Sequence, residues 1–415
     1  MTETDRRTHP AVTPATAPIP TAAWLNLALA TVGIAVNFWA WGLISPLGPT
    51  EKEKLGLSSF QQSFLVAVPV LVGSLGRIPV GALTDKYGAR LMVPALSFAT
   101  ILPVLALSVT HSYWLLVVVG LFLGIGGSFF AAGVPYVNSW FPPERRGMAI
   151  GIFGIGTGGT AIASFFTPRF LSWYDNTNTM FYLVAAVLAV YGVISLLLTR
   201  DAPGRQVPEQ LFGRRFGEAL RHPATLPMSL LYAVSFGAFV AMGVYLPTYL
   251  KEAYHLSQNG SSTRAAGFTL VAVLFRPLGG TLSDRFGPAR ILVVSYATLG
   301  AMAVWQAFLP ALNPWSTTAF LVMAASVGLG CGAVFALVAI VTPKAKVGTV
   351  TGLVGAAGGL GGYFPPLVMG AVYGITKSFA IGLMLLSDAA FAALVYCAAR
   401  LIGRDRRDSP NAFGG

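Results

Sequence analysis

Two arginines, Arg77 and Arg276, lie inside long apolar stretches of the sequence, where a permanent positive charge is costly. Each is followed eight residues later by an aspartate, Asp85 or Asp284, in a turn rich in glycine and charge. If the aspartates mark the membrane surface, a rise of about 1.5 Å per residue puts each arginine about 12 Å deep, near the middle of the hydrocarbon core. Because a guanidinium keeps its proton, an anion or a water-filled cavity must stabilise it there.

The arginines belong to a repeated segment. The stretch LVGSLGRIPVGALTDKYGAR around Arg77 recurs as VAVLFRPLGGTLSDRFGPAR around Arg276, with an offset of 199 residues (276 − 77). FPPERRGMAIGIFG (141–154) and VTPKAKVGTVTGLVG (341–355) form a second pair, whose glycines match at an offset of 201 (355 − 154). This duplication predicts two halves with a cavity between them, in which the two arginines bind a small anion. Arginines that bond only to backbone carbonyls or extend to the interface are the alternative.

The composition is that of a polytopic membrane protein. The 415 residues are 55% hydrophobic and only 10% charged, and the mean hydropathy is +0.69. The net charge of +12 would suggest a nucleic-acid partner in a soluble protein, but an excess of Lys and Arg in cytoplasmic loops explains it here, so we expect none. The two cysteines, Cys331 and Cys397, lie in apolar runs. We expect no disulfide, metal site or cofactor.

Apolar runs of about 20 residues predict an all-α protein with twelve transmembrane helices. An even number of spans puts both termini on one side, and the bias of Lys and Arg toward that side assigns both termini to the cytoplasm. The predicted centres of the spans are Val32, Val70, Ile101, Leu123, Gly158, Val187, Phe236, Val271, Ala301, Gly328, Gly358 and Phe391.

Five regions follow from this count. They are a cytoplasmic N-terminal tail (1–21), a six-helix bundle (22–199), a cytoplasmic central loop (200–225), a second six-helix bundle (226–401) and a cytoplasmic C-terminal tail (402–415). In the central loop, Leu211, Phe212, Phe216 and Leu220 recur at helical spacing beside arginines. This pattern favours a short interfacial helix, with a solvated linker as the alternative.

The turns from Gly81 to Arg90 and from Gly280 to Arg290 resemble the loop signature between the second and third spans of the major facilitator superfamily. In that superfamily the turn stabilises one of the conformations of alternating access. We expect its aspartates to accept hydrogen bonds from a neighbouring helix N-terminus. The resemblance implies conformational roles for Gly81, Asp85, Lys86, Arg90, Gly280, Asp284, Arg285 and Arg290.

Glycines crowd residues 147–166 and 348–366, which lets helices approach closely and exposes backbone beside a cavity. Together with the two arginines, these stretches resemble the signature helices of the nitrate/nitrite porter family within the superfamily, and the resemblance covers essentially all twelve spans. It implies a monomeric carrier of nitrate and nitrite in the plasma membrane. The two halves would alternate around a substrate held between Arg77 and Arg276.

The resemblance also implies further residues of the substrate site. Tyr232 and Phe236, one helical turn apart, match a tyrosine and a phenylalanine of the family. Phe130 matches an aromatic residue of the fourth span, with Phe129 as the competing register; by residue type alone such aromatics are more often core. Thr157 stands where the family usually has an asparagine that contacts the anion. The remaining implied positions are Gly156 and Gly358.

The predicted chemistry suits a planar oxyanion. A guanidinium offers coplanar donors to a flat monoanion such as nitrate or nitrite, and aromatic walls exclude water. An empty site with two uncompensated cations should reorient less readily than a loaded one, which favours nitrate/nitrite exchange. Proton-coupled symport is the alternative. Asp388, in the twelfth span, could then be the proton site, although a packing role or a lipid-side polar contact also fits it.

Three other functions compete with this interpretation. A carrier of another small anion, such as a monocarboxylate, would also use two arginines. A nitrate receptor would bind the anion without moving it. A membrane enzyme is disfavoured, because the sequence has no nucleophile and base pair, no metal-ligand spacing and no phosphate loop.

Overall fold

The computed structural model describes residues 19–142, 145–174, 178–203, 205, 212–342 and 347–402. Most of the predicted N-terminal and C-terminal tails and Leu211 of the central loop lie outside these residues. The helices of the first half are α1 (Thr21–Trp41), α2 (Gly48–Leu55), α3 (Ser59–Leu75), α4 (Arg77–Tyr87), α5 (Ala89–Leu107), α6 (Tyr113–Trp140), α7 (Arg146–Ile155), α8 (Gly159–Tyr174) and α9 (Asn178–Leu198).

A short helix, α10 (Phe212–Leu220), lies between the halves and confirms the helix predicted in the central loop. The helices of the second half are α11 (Thr225–Tyr254), α12 (Gln258–Phe286), α13 (Pro288–Ala307), α14 (Thr317–Val341), α15 (Val347–Thr376) and α16 (Ala380–Tyr396).

The predicted spans correspond to these helices. Within the described residues, eleven helical segments are long and apolar enough to cross a membrane, and each contains one predicted centre. The twelfth centre, Gly358, lies in the 30-residue helix α15. Three spans are made of two consecutive helices each, α1 with α2, α3 with α4, and α7 with α8. The prediction of an all-α membrane protein with twelve spans is confirmed.

Each copy of the duplicated turn ends in a glycine with a left-handed backbone. Gly88 has φ +85° and Gly287 has φ +86°, values that other residues rarely adopt. A Cβ on Gly88 would also meet the carboxylate of Asp201, whose Oδ1 accepts the backbone N–H of Arg90 at 3.2 Å. In the first half, the carboxylate that accepts a hydrogen bond from a neighbouring helix N-terminus is therefore that of Asp201. The residue expected in this role, Asp85, accepts from Arg215 instead.

The two halves meet through their repeated elements. The arginine-bearing span of the first half, α3 with α4, packs against the glycine-rich helix α15 of the second half. Conversely, the arginine-bearing helix α12 packs against the glycine-rich span α7 with α8. Both buried arginines therefore face a glycine-rich stretch of the opposite half, whose backbone is not covered by side chains.

Neighbouring glycines of the fifth span serve different contacts. A Cβ on Gly159 would lie 1.9 Å from the carbonyl oxygen of Ala35 in α1, so only glycine allows this approach. A Cβ on Gly158 would lie 3.8 Å from Val273 in α12, which is an ordinary contact. Gly159 therefore permits close packing of α8 on α1 within the first half, and Gly158 faces α12 of the second half.

We expect Gly159→Ala to destabilise the protein by about 1–3 kcal/mol, because the added methyl group must push α1 and α8 apart. Gly158→Ala, one residue away, should leave the stability nearly unchanged, since its methyl group has room. Thermal unfolding of the two purified variants in the same detergent compares them. Equal melting temperatures would contradict the close packing at Gly159.

Candidate anion-binding site

Arg77 is the first residue of α4 and is only 3% exposed. Its Nε donates to the carbonyl of Gly73 at 3.1 Å, in its own span. Its Nη1 donates to the carbonyl of Gly355 at 2.6 Å, in α15 of the other half. Its Nη2 is buried without a hydrogen-bond partner among the described residues. Arg77 thus keeps one charged donor available for a ligand.

Arg276 lies within α12 and is 7% exposed. Its Nη1 donates to the hydroxyl oxygen of Thr157 at 2.9 Å, across the interface between the halves, and its Nη2 donates to the hydroxyl oxygen of Tyr232 at 3.0 Å. The hydroxyl of Thr157 donates in turn to the carbonyl of Gly154 at 2.8 Å. Thr157, which the sequence predicts as an anion contact, therefore holds Arg276 in this conformation.

Each arginine lies close to an equivalent glycine of the opposite half. A Cβ built on Gly154 would lie 3.9 Å from Nη1 of Arg276, and one built on Gly355 would lie 4.0 Å from Nη1 of Arg77. These glycines occupy matching places in the duplicated motif. Each arginine thus meets the same position of the opposite repeat, a pairing that the sequence analysis missed although the 201-residue offset marks both glycines.

The ring of Phe236 contacts both guanidinium groups. Its centroid is 5.2 Å from Cζ of Arg77 and 5.1 Å from Cζ of Arg276. Phe130 supports Arg77 at 5.1 Å, and Phe239 supports Arg276 at 5.5 Å. Since the face of an aromatic ring carries partial negative charge, these contacts stabilise both cations where no carboxylate does.

Other aromatic contacts show which of the two neighbouring phenylalanines, Phe129 or Phe130, lies at the arginines. Tyr232 stacks on Phe236, with centroids 5.1 Å apart and nearly parallel rings. Phe335 of α14, which sequence reasoning missed, packs 4.6 Å from Tyr232 and 6.3 Å from Phe130. Phe129 instead packs near Tyr191 within the first half. Of the two competing phenylalanines, Phe130 is the one at the arginines.

A cavity of about 120 Å³ opens beside Arg77. Phe130 and Gly355 line its deep end, and Asp85, Arg215 and Thr349 line its mouth, on the face of the protein where α1 begins, here called the terminal face. Arg276 is not among the residues that line this cavity. Of the two arginines, this cavity reaches Arg77, and a single space shared by both arginines stays a prediction.

The two glycines expected in the site pack against other parts of the structure. A Cβ on Gly156 would lie 2.2 Å from the side chain of Ile34, so this glycine serves the contact with α1. A Cβ on Gly358 would lie 2.2 Å from the ring of Tyr232, so this glycine makes room for the tyrosine. Neither lines the cavity.

The duplicated turns differ in their partners. Oδ2 of Asp85 accepts from Nη1 of Arg215 at 2.8 Å, and Nη2 of the same arginine lies 3.5 Å from the hydroxyl of Thr349 in α15. Asp284 is exposed and makes no ion pair within the described part of the chain. A Cβ on Gly81 or Gly280 would meet open space. The other predicted turn residues, all exposed, are Lys86, Arg90, Arg285 and Arg290.

Asp388 lies on the exposed surface of α16 and is not among the residues that line the cavity. The structure therefore does not bring this carboxylate together with the two arginines. Asp85, at the mouth, is the one carboxylate among the described lining residues, and it is paired with Arg215.

Comparison with known proteins identifies the fold and the relatives. A family model described as Major Facilitator Superfamily matches residues 30–366. The Mycobacterium tuberculosis (strain H37Rv) protein named "Probable nitrate/nitrite transporter NarK2" is 48% identical over 377 residues, 90% of this chain and 95% of that protein. The Bacillus subtilis (strain 168) protein named "Nitrite extrusion protein" is 36% identical over 374 residues, 89% of this chain and 93% of that protein.

A solved structure shares the fold. The crystal structure of a bacterial homolog of the human lysosomal transporter Spinster, inward-facing and unoccupied, superimposes with a TM-score of 0.67 at 22% sequence identity. The match covers 91% of this chain and 96% of that chain. Both chains therefore have the same arrangement of helices.

We expect Phe236→Leu to lower the stability of the ligand-free protein more than Phe268→Leu does. Both rings are fully buried, but only Phe236 contacts the two guanidinium groups, so its loss should cost about 1 kcal/mol more. Melting temperatures of the two variants without added anion provide the comparison. Equal losses would mean that the ring does no more than fill space.

Proposed function

This chain belongs to the nitrate/nitrite porter family of the major facilitator superfamily, and we propose that it carries nitrate and nitrite by alternating access, bound by Arg77 and Arg276. It is a multi-pass membrane transporter and not an enzyme. The names of its relatives support both anions as substrates. We further propose a monomer in the plasma membrane with both termini in the cytoplasm.

The observation that carries this proposal is the unpartnered Nη2 of Arg77 at the deep end of the cavity. A buried charged donor without an acceptor costs free energy, which a bound oxyanion would recover. The neighbouring rings and backbone suit a flat guest, since they leave little room for a bulky group. Nitrate and nitrite have the required shape and charge.

The geometry suggests an order of contacts. An anion that enters from the terminal face reaches Arg77 first, because the cavity ends there. Contact with Arg276 as well requires its bond to Thr157 or to Tyr232 to loosen, because those two hydroxyls occupy its Nη1 and Nη2 donors. A bound anion would then replace contacts between the halves with contacts to itself. Binding would thereby change the free-energy difference between the two access states.

Exchange of nitrate for nitrite is the mechanism that we propose. In the ligand-free site, bonds between the halves and aromatic faces hold the two cations, and reorientation must break those bonds with nothing to replace them. A bound anion supplies the missing acceptors, so the loaded carrier should reorient faster. The position of Asp388, away from the cavity, supports exchange over proton symport.

We expect Arg77→Lys and Arg276→Lys each to abolish nitrate binding, because an ammonium cannot reproduce the planar fork of donors. Arg264→Lys is the matched control, since Arg264 lies on the same helix as Arg276 and its hydrogen bond in the described part of the chain is to a carbonyl of that helix. Nitrate at about 100 times its dissociation constant should stabilise the native protein and the control by about 2.7 kcal/mol. Undiminished stabilisation of both site variants would refute the arginine site.

Nitrate uptake into proteoliposomes tests the mechanism. Uptake that needs internal nitrite, with no change in an internal pH-sensitive dye, is the result expected for exchange. Uptake into empty vesicles with matching acidification would establish proton symport instead. Nitrate binding without uptake under either condition would indicate a receptor, and formate uptake without nitrate uptake would indicate a monocarboxylate carrier.

A further inference from the structure

On the face opposite the terminal face, two ion pairs join the halves. Nζ of Lys52 lies 2.5 Å from Oε1 of Glu252, and Nζ of Lys251 lies 2.7 Å from Oε1 of Glu53. Lys52 and Glu53 belong to α2, whereas Lys251 and Glu252 belong to the last turn of α11. Each pair therefore contains one residue from each half.

The four residues obey the internal repeat. Lys251 follows Lys52, and Glu252 follows Glu53, by the same 199 residues (251 − 52) that separate the two buried arginines. Equivalent dipeptides on two halves related by a pseudo-two-fold axis bind each other reciprocally, as at the interface of a symmetric dimer. The pairing thus follows from the architecture of the duplicated chain.

A contact closer to the core marks the axis. The hydroxyl of Ser45 donates to the carbonyl of Val244 at 2.6 Å, and these residues are also 199 positions apart (244 − 45). A residue can touch its own repeat counterpart only near the axis that relates the two halves. The ion pairs therefore lie around the point where the halves meet on this face.

The pairs are partly shielded from water. The side chains of Lys52, Lys251 and Glu252 are 24–27% exposed, whereas that of Glu53 is 69% exposed, so the pair of Lys52 with Glu252 is the better shielded of the two. Glu252 also accepts a hydrogen bond from the hydroxyl of Tyr373 at 3.2 Å. Partial burial and a third partner make such a bridge stronger than a fully exposed one.

We propose that Lys52, Glu53, Lys251 and Glu252 form a two-fold ion-pair latch that holds this face closed and sets the balance between the two access states. The inference rests on the proposed alternation of the halves, but it does not depend on which anion is carried. Because both pairs span the same interface, opening this face breaks both. Removing one pair should therefore shift the balance toward the open state.

A cysteine reporter measures this balance in the purified full-length protein. Ser45→Cys puts a thiol on the axis beneath the latch, where it should react with a water-soluble maleimide only when the face opens. Cys331 and Cys397 are buried, and the protein without the reporter gives their background labelling. The assay needs no nitrate, so a failure of the nitrate assignment leaves it interpretable.

In the reporter background, we expect Lys52→Glu to speed labelling by about fivefold or more, since loss of a bridge of about 1 kcal/mol changes an equilibrium by that factor. Adding Glu252→Lys should restore slow labelling by rebuilding the pair with its charges exchanged. Glu53→Lys with and without Lys251→Glu repeats the test on the other pair. Lys54→Glu is the matched control, because the ion-pair partner of Lys54 among the described residues is Glu51 of its own helix.

The outcomes decide the proposal. Fast labelling in both charge reversals, with recovery in both exchanged pairs and no effect of Lys54→Glu, supports the latch. Labelling that Lys52→Glu and Glu53→Lys leave unchanged would overturn it. Equal acceleration by Lys54→Glu would also overturn it, since a general change of surface charge would then explain the effect.

Discussion

The structure depends on one electrostatic constraint: two guanidinium groups are buried against the same aromatic ring inside the membrane, and no carboxylate pairs with them among the described residues. Burial strengthens their repulsion and removes the water that would hydrate them. Backbone carbonyls, hydroxyl oxygens and aromatic faces share the task of stabilising them. None of these groups carries a full negative charge, so both cations lack a counter-ion among the described residues, which is the basis of the proposed anion site.

Duplication of the chain explains why both buried cations lie at the interface between the halves. Arg77 and Arg276 each bond to the glycine-rich span of the opposite half, so a change in either guanidinium group changes a contact between the halves. The same symmetry produces the reciprocal ion pairs on the face opposite the termini. The anion site and the proposed latch are thus consequences of one pseudo-two-fold axis.

The terminal face departs from that symmetry. Asp85 pairs with Arg215 of the connecting helix α10, which occurs once in the chain, whereas its counterpart Asp284 is exposed. The connecting helix α10 therefore contacts the first half through Asp85 and the second half through Thr349. The contacts of this single-copy helix are therefore not repeated in the second half.

The sequence alone determined the class of the protein, its twelve spans, the duplication and the two buried arginines, because hydropathy, charge bias and repeated motifs are local properties of the chain. Only the tertiary structure decided which side chains meet. It placed Phe130 rather than Phe129 at the arginines, assigned Gly156 to packing, and brought Phe236 into contact with both guanidinium groups. The rotation of each helix about its axis depends on its neighbours from the other half, and a local pattern does not contain that information.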